Sequence, residues 1–201
     1  MTDARAVIES TEIVARSSFS EFRRSVVRYR RRDGEMQRLV REVYDHGDGV
    51  AVLLHDPVRD TVLLVRQWRF GAFAQQKEAG QNGDGMLVEV PAGLLDGRLP
   101  EEAARAELEE EVGVRLGALR QVGACYTSPG SLSERITLFL GVYDAADRIG
   151  AGGGLAAEGE DIEVLELSRK EVMARMSEGL IVDAKTMLLL LLLDASVDAK
   201  P

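Results

Sequence analysis

The sequence predicts an α+β fold in which a few helices pack on a mixed β-sheet. Short β-branched and apolar runs recur along the chain, and only three segments between them carry helical signals. Hydrophobic residues make up 45% of the 201 residues, enough to bury a sizeable core and to exclude intrinsic disorder. The length predicts one main domain preceded by an extension.

The N-terminal region predicts a small antiparallel sheet. The segment Phe19–Tyr29 mixes aromatic and arginine residues, and Asp33-Gly34 is a hairpin-turn signal. We interpret the arginine run Arg30–Arg32 as a solvated strand edge, because edge charges discourage pairing between sheets. We therefore expect a β extension over residues 1–45 and the main domain over residues 46–201.

The main domain is predicted from apolar runs, turn residues and helix-end signals. Proline fits the first helical position at Pro100, and Gly113 fits just past the helix end. A long polar loop is predicted over Gly71–Gly85, and a mobile Gly/Glu-rich loop over Ala151–Gly159. The predicted strands are Val50–Leu54, Thr61–Val65, Met86–Val90, Ile136–Val142 and Ile162–Leu167, and the predicted helices are Pro100–Val112, Arg169–Ser177 and Lys185–Leu193.

Charge and composition exclude several classes of protein. The chain has 25 Lys and Arg against 34 Asp and Glu, a net charge of −9, which argues against a nucleic-acid partner. Cys125 is the only cysteine and cannot form an internal disulfide. The longest apolar run, Met187–Leu193, is far shorter than the ~20 residues that span a bilayer. No signal-peptide pattern is present in the first twenty residues, so we expect a cytoplasmic protein with no membrane partner.

The helix over Pro100–Val112 carries an unusual density of glutamates. Glu107 and Glu111 are four residues apart and share a face, with Glu110 beside them. Like charges at this spacing repel, and Arg105 is the only nearby basic residue on the helix. The cluster therefore predicts a bound cation, and carboxylate oxygens suit Mg²⁺ or Mn²⁺.

At these residues the sequence resembles the Nudix hydrolase signature, G-x5-E-x7-R-E-U-x-E-E-x-G-U with U aliphatic. The stretch Glu107–Val114 matches the second half without a gap. The first half is one residue short, with Arg98 at the position of the signature glutamate and Ala106 at that of its arginine. Arg105 lies one place before that arginine position.

The resemblance covers nearly the whole chain and is closest to the bacterial GDP-mannose hydrolases of this family. Those enzymes also carry the shortened box and the early arginine. The similar segments are Arg41–Asp45, Val65–Arg69, Ala92–Asp96, Ser128–Gly130, Ala151–Gly154, Glu160–Leu167 and Asp183–Thr186.

The resemblance implies a Nudix α/β/α sandwich with a mixed central sheet and an N-terminal antiparallel β extension. It implies Mg²⁺-dependent hydrolysis of a nucleoside diphosphate sugar, GDP-mannose first, to a nucleoside monophosphate and a sugar 1-phosphate. ADP-ribose or another ADP-sugar is the alternative substrate. A sensor that binds a nucleotide sugar without cleaving it is a further alternative, although this chain keeps Glu107, Glu111 and Glu160.

The resemblance also implies the roles of individual residues. Catalysis is assigned to Glu111, Glu160 and Glu158, and either loop glutamate is a candidate general base. A homodimer is implied, in which Arg41 and Glu42 come from the neighbouring subunit. The implied metal ligands are Glu107, Glu110, Glu111, Glu160 and the carbonyl of Ala92, and the implied substrate contacts are Phe19, Arg41, Glu42, Arg69, Ala92, Gly93, Leu94, Glu134 and Lys185.

Overall fold

The computed structural model of the chain describes residues 4–198, which separate into two compact units. The first unit contains the residues up to Asp48 together with Tyr126–Arg135. The second contains Gly49–Cys125 and the residues from Ile136 onward. No sequence signal predicted that Tyr126–Arg135 would join the N-terminal unit.

The first unit is built on a three-stranded antiparallel sheet, as predicted. A turn at Gly34, which has a φ of +91°, connects the second and third strands. Cross-strand ion pairs balance the arginines, with Arg28 bound to Glu9 at 2.7 Å. The strands pair in the order β1 (Ala6–Arg16), β2 (Glu21–Arg30) and β3 (Met36–Asp45).

The second unit is built on a mixed seven-stranded sheet with four helices. The central strands pair in the order β10-β5-β4-β9-β8, while β6 pairs with β5 and β7 with β4. The β4–β9 pair is parallel, whereas β5 and β7 are antiparallel to β4. The elements are β4 (Gly49–Asp56), β5 (Thr61–Trp68), α1 (Phe70–Glu78), β6 (Met86–Glu89), β7 (Ala92–Leu94), α2 (Pro100–Val112), β8 (Arg120–Tyr126), β9 (Arg135–Val142), β10 (Glu163–Ser168), α3 (Arg169–Ser177) and α4 (Ala184–Asp198).

Helices cover both faces of this sheet, which confirms the predicted α/β/α sandwich. Successive side chains of β4 point to opposite faces. Val52 packs in one core with Leu108 of α2, and Leu53 packs in a second core with Leu189 of α4 and Val172 of α3. The whole of β4 is buried, so it forms the centre of both cores.

Two predicted elements differ from the structure, and two strands were not predicted. The prediction of a polar loop over Gly71–Gly85 is wrong in the first half of that range, where α1 forms. Apolar periodicity could not reveal this helix, because none of its residues is buried. The strands β7 and β8 were not predicted. The last helix is longer than predicted, and one residue of its apolar run, Leu191, is 51% exposed. Within residues 4–198, no helix is long and apolar enough to cross a bilayer.

The glycine-rich loop after β9 is attached to the end of α2. The N–H groups of Gly153 and Gly154 donate to the carbonyls of Glu111 and Glu110, both at 3.0 Å. Three consecutive glycines, from Gly152, have positive φ, which other residues adopt at a cost. The first part of the predicted mobile loop is therefore a cap that satisfies the last carbonyls of the helix.

We expect Gly152→Ala to destabilise the protein by about 2 kcal/mol or more, because of its positive φ and a backbone clash. A Cβ on Gly152 would lie 2.3 Å from the carbonyl oxygen of Glu111. Gly150→Ala is the matched control, since a Cβ there meets nothing within 4 Å. Urea unfolding of both variants measures the difference. Equal stability of the two variants would contradict the proposed fixed contact between loop and helix.

Candidate active site

Helix α2 carries two buried acidic side chains on the face that packs on the sheet. Glu107 is 8% exposed and Glu111 is 1% exposed. They share this face with Ala104 and Leu108, which lie in the core against β4. Helical periodicity therefore places the two carboxylates on the same face of α2 as the apolar residues that pack on the sheet.

The strand β7 lies directly against these carboxylates. The backbone N–H of Ala92 donates to Oε2 of Glu111 at 3.0 Å. A Cβ on Gly93 would lie 2.3 Å from the carboxyl carbon of Glu107, so only glycine fits there without displacement. The backbone at Ala92 and Gly93 thus lies close to both acids.

Burial and mutual repulsion make these acids unusually weak. Desolvation raises the pKa of Glu107 to about 7, with a further rise from the charges of Glu110 and Glu160. Desolvation raises the pKa of Glu111 to about 8, opposed by the hydrogen bond from Ala92 and increased by the neighbouring Glu107. A bound cation would lower the pKa of both groups, so both would be ionised at lower pH.

Two loop glutamates complete the acidic cluster. Glu160 accepts a hydrogen bond from the Leu155 N–H at 2.8 Å, and its charge raises the pKa of both helix glutamates. Glu158 is exposed and raises the pKa of Glu107. In the part of the chain that the structure describes, no three Asp, Glu, His or Cys side chains converge closely enough to form a metal site.

The chemistry of this donor set nevertheless fits a divalent cation. It consists of carboxylate and carbonyl oxygens, the ligands that Mg²⁺ and Mn²⁺ prefer. The repulsion between buried Glu107 and Glu111 is a cost that a cation would remove. Glu111 and Glu160 each use one carboxylate oxygen to accept a backbone hydrogen bond, which leaves the second oxygen of each for a cation.

Arg98 is the cation that faces the helix glutamates, and it was not singled out from the sequence as a functional residue. Its Nη2 lies 3.7 Å from Oε1 of Glu107. Asp96 and Gly97 both have positive φ, and this tight turn directs the Arg98 side chain to the carbonyls of Leu94 and Leu95.

Arg105, the arginine that lies one place early in the box, has its partners outside the acidic cluster. It donates to the carbonyls of Leu116 and Gly117 and pairs with Glu101 at 2.7 Å. Because its guanidinium is bound to the segment that follows α2, it makes no ion pair with Glu107 or Glu111.

A second group of predicted residues meets at a buried carboxylate. Arg69 binds Glu89 with Nη2 at 2.7 Å and Nε at 2.9 Å. Lys185 lies 3.4 Å from Glu89 and 2.7 Å from Asp183. The charge of Arg69 also lowers the pKa of Glu111, so these cations lie near the acidic cluster. Glu89 was missed, although a lone acid within the apolar run Met86–Val90 is a signal.

The remaining predicted residues belong to the first unit. Phe19 is 69% exposed. Arg41 donates to the Val40 carbonyl, and Glu42 pairs with Arg24. Glu134 accepts from Thr127 at 2.7 Å. The structure therefore places Glu107 and Glu160 near Glu111, with Arg69 close by, although the described acids do not converge into a metal site, and it places these four in the other unit.

A cavity of about 750 Å³ lies elsewhere in the second unit. It is lined by His55, the segment Leu116–Arg120, the segment Leu140–Val142 and Leu193. None of the predicted site residues lines this cavity, so it is separate from the candidate active site.

An α/β/α sandwich with clustered helix carboxylates under a glycine loop defines the class of Nudix-type proteins. The NUDIX domain family matches residues 45–179, and the chain belongs to that family. A GDP-mannose pyrophosphatase of Cronobacter sakazakii is 47% identical over 160 residues, 80% of each chain. One from Pectobacterium atrosepticum is 44% identical over 161 residues, again 80% of each. The solved structure of an ADP compounds hydrolase shares the fold, with a TM-score of 0.71 and 18% identity, covering 97% of this chain and 95% of that one.

We predict that the metal-free protein loses stability as the pH rises from about 4.5 to about 8. Over this window the folded state holds protons on Glu107 and Glu111 that the unfolded state releases, so unfolding becomes easier by a few kcal/mol. Glu111→Gln should be more stable at pH 8 and should flatten this dependence. Glu109→Gln is the control, because Glu109 is paired with Arg115 on the exposed side. Thermal unfolding in EDTA from pH 5 to 8 measures this, and equal slopes in all three proteins would contradict it.

Proposed function

We propose that the chain is a Mg²⁺-dependent Nudix hydrolase that cleaves the pyrophosphate of a nucleoside diphosphate sugar. GDP-mannose is the first substrate, and the products are a nucleoside monophosphate and a sugar 1-phosphate. The observation that carries the proposal is the buried pair Glu107 and Glu111, whose repulsion a divalent cation would relieve. The similarity to relatives named GDP-mannose pyrophosphatases supports the choice of substrate.

In this proposal, Glu107, Glu110, Glu111, Glu160 and the carbonyl of Ala92 hold Mg²⁺, which Mn²⁺ can replace. The bound cation would offset the charge of the diphosphate and stabilise the leaving oxygen. It also explains how a protein of net charge −9 binds an anion.

The general base in this proposal is Glu158. Its side chain is exposed and has no hydrogen-bond or ion-pair partner among the described residues, so the carboxylate is free to accept a proton from water. Glu160 is less suited, because one of its oxygens already accepts from Leu155. In this proposal Glu160 is therefore a ligand of the cation, and Glu158 is the general base.

Substrate contacts in this proposal come from two groups of residues. Arg69 and Lys185 bind the diphosphate sugar beside the backbone of Ala92, Gly93 and Leu94, since a guanidinium suits phosphate oxygens. A homodimer supplies the other group across subunits, through the 1–45 extension. That group is Arg41 and Glu42, while Phe19 and Glu134 are further proposed contacts to the nucleotide sugar. The proposal includes a cytoplasmic location and no nucleic-acid partner.

ADP-ribose is the second candidate substrate. The observation that favours it is Phe19, whose exposed ring can stack on a base but has no hydroxyl to select one. Apolar contacts discriminate by only ~1–3 kcal/mol, so both bases should be accepted.

We expect hydrolysis of both GDP-mannose and ADP-ribose with Mg²⁺, with kcat/KM values within roughly a hundredfold of each other. Glu111→Gln should lower kcat by about a thousandfold or more through lost cation binding, whereas Glu109→Gln should stay within about threefold of the unmodified chain. Product analysis by chromatography is the measurement. Binding of GDP-mannose with no turnover would support the sensor alternative, and a preference for ADP-ribose beyond a thousandfold would contradict the assigned substrate.

If Arg41 and Glu42 act across subunits, two inactive variants should complement each other. Arg41→Ala subunits mixed with Glu111→Gln subunits should regain about a quarter of the unmodified activity by random exchange, since one site in the mixed dimer is intact. Each variant treated alone through the same exchange step is the control. A monomer with full activity in sedimentation, or no recovery after verified exchange, would contradict the shared site.

A further inference from the structure

One buried carboxylate holds two of the cations assigned to the substrate. Glu89 ends β6 and is 3% exposed. Its Oε2 accepts both Nη2 and Nε of Arg69, at 2.7 and 2.9 Å, and its Oε1 faces Nζ of Lys185 at 3.4 Å. Arg69 follows β5 and Lys185 opens α4, so Glu89 joins two distant segments of the chain.

Arg69 and Lys185 keep N–H donors that Glu89 and Asp183 do not use, and Arg69 is the more exposed of the two, since the side chain of Lys185 is 13% exposed. Of the five N–H bonds of Arg69, Glu89 takes two. Of the three of Lys185, Glu89 and Asp183 take two. The carboxylate of Glu89 is buried, whereas the side chain of Arg69 is 41% exposed. An approaching anion would therefore meet N–H donors and not the carboxylate.

We propose that Glu89 is a positioning residue that holds Arg69 and Lys185 as one fork for the diphosphate of the nucleotide sugar. This inference rests on the proposed function and adds a specific residue to it. Without Glu89 the two cations would repel each other and Arg69 would regain its rotamer freedom, so the fork would open.

A surface ion pair of β5, the strand that Arg69 follows, provides the comparison. Arg66, three residues before Arg69, lies 3.3 Å from Glu163, and both side chains are well exposed. Such surface ion pairs contribute little to the stability of a folded protein. Glu163→Gln thus removes a glutamate from an arginine of β5 without touching the fork.

The test is calorimetric titration of the full-length chain with GDP in EDTA. We expect Glu89→Gln to weaken GDP binding about tenfold and Glu163→Gln to leave it unchanged. The double variant Arg69→Gln/Glu89→Gln should lose less affinity than the two single losses added together, because Glu89 acts in part through Arg69. A merely structural role of Glu89 would add its loss to that of Arg69→Gln.

Unchanged or tighter binding by folded Glu89→Gln, additive losses, or no GDP binding by the unmodified chain would overturn the inference. If Glu89→Gln does not fold, Arg69→Lys decides, because lysine keeps the charge but lacks the fork. Arg69→Lys should then weaken GDP binding about tenfold, and unchanged binding would overturn the inference. GDP is not the proposed substrate. If the chain binds GDP as expected but does not hydrolyse GDP-mannose, the proposed function is refuted and this inference is not.

Discussion

The burial of two like-charged carboxylates on one helix face is the constraint on which the site depends. Glu107 and Glu111 lie under β7, and their pKa values are raised because desolvation penalises their charged forms. A chain that needed only a stable core would place apolar residues there. We propose that a bound cation offsets the cost of keeping two acids in this position.

The surrounding backbone is shaped to allow this burial. Gly93 brings β7 against Glu107 where any Cβ would collide, and the loop from Gly152 closes the carboxyl end of α2. That loop also leads to Glu160, so the same segment caps the helix and adds an acid to the cluster. Packing, capping and charge placement are therefore one arrangement, centred on the last two turns of α2.

Much of this could be predicted from the sequence, and the failures have physical reasons. The α+β class, the N-terminal sheet and the glutamate helix follow from periodicity and turn residues. Helix α1 was missed because none of its residues is buried, so it shows no apolar pattern. Glu89 was missed because its partners Arg69 and Lys185 lie far from it in the chain. Arg98 was missed because a tight turn, which its position in the sequence does not reveal, directs its side chain. Arg105 was close to the expected position in the box, but side-chain direction cannot be deduced from spacing alone.

The central claim is that a divalent cation takes the place of protons on the buried acids. Calorimetric titration of Mn²⁺ at pH 7, repeated in two buffers of different ionisation enthalpy, counts the protons released on binding. The account predicts net proton release by the unmodified chain, and less release with weaker Mn²⁺ binding in Glu111→Gln. Binding without proton release, at equal affinity in both proteins, would contradict it.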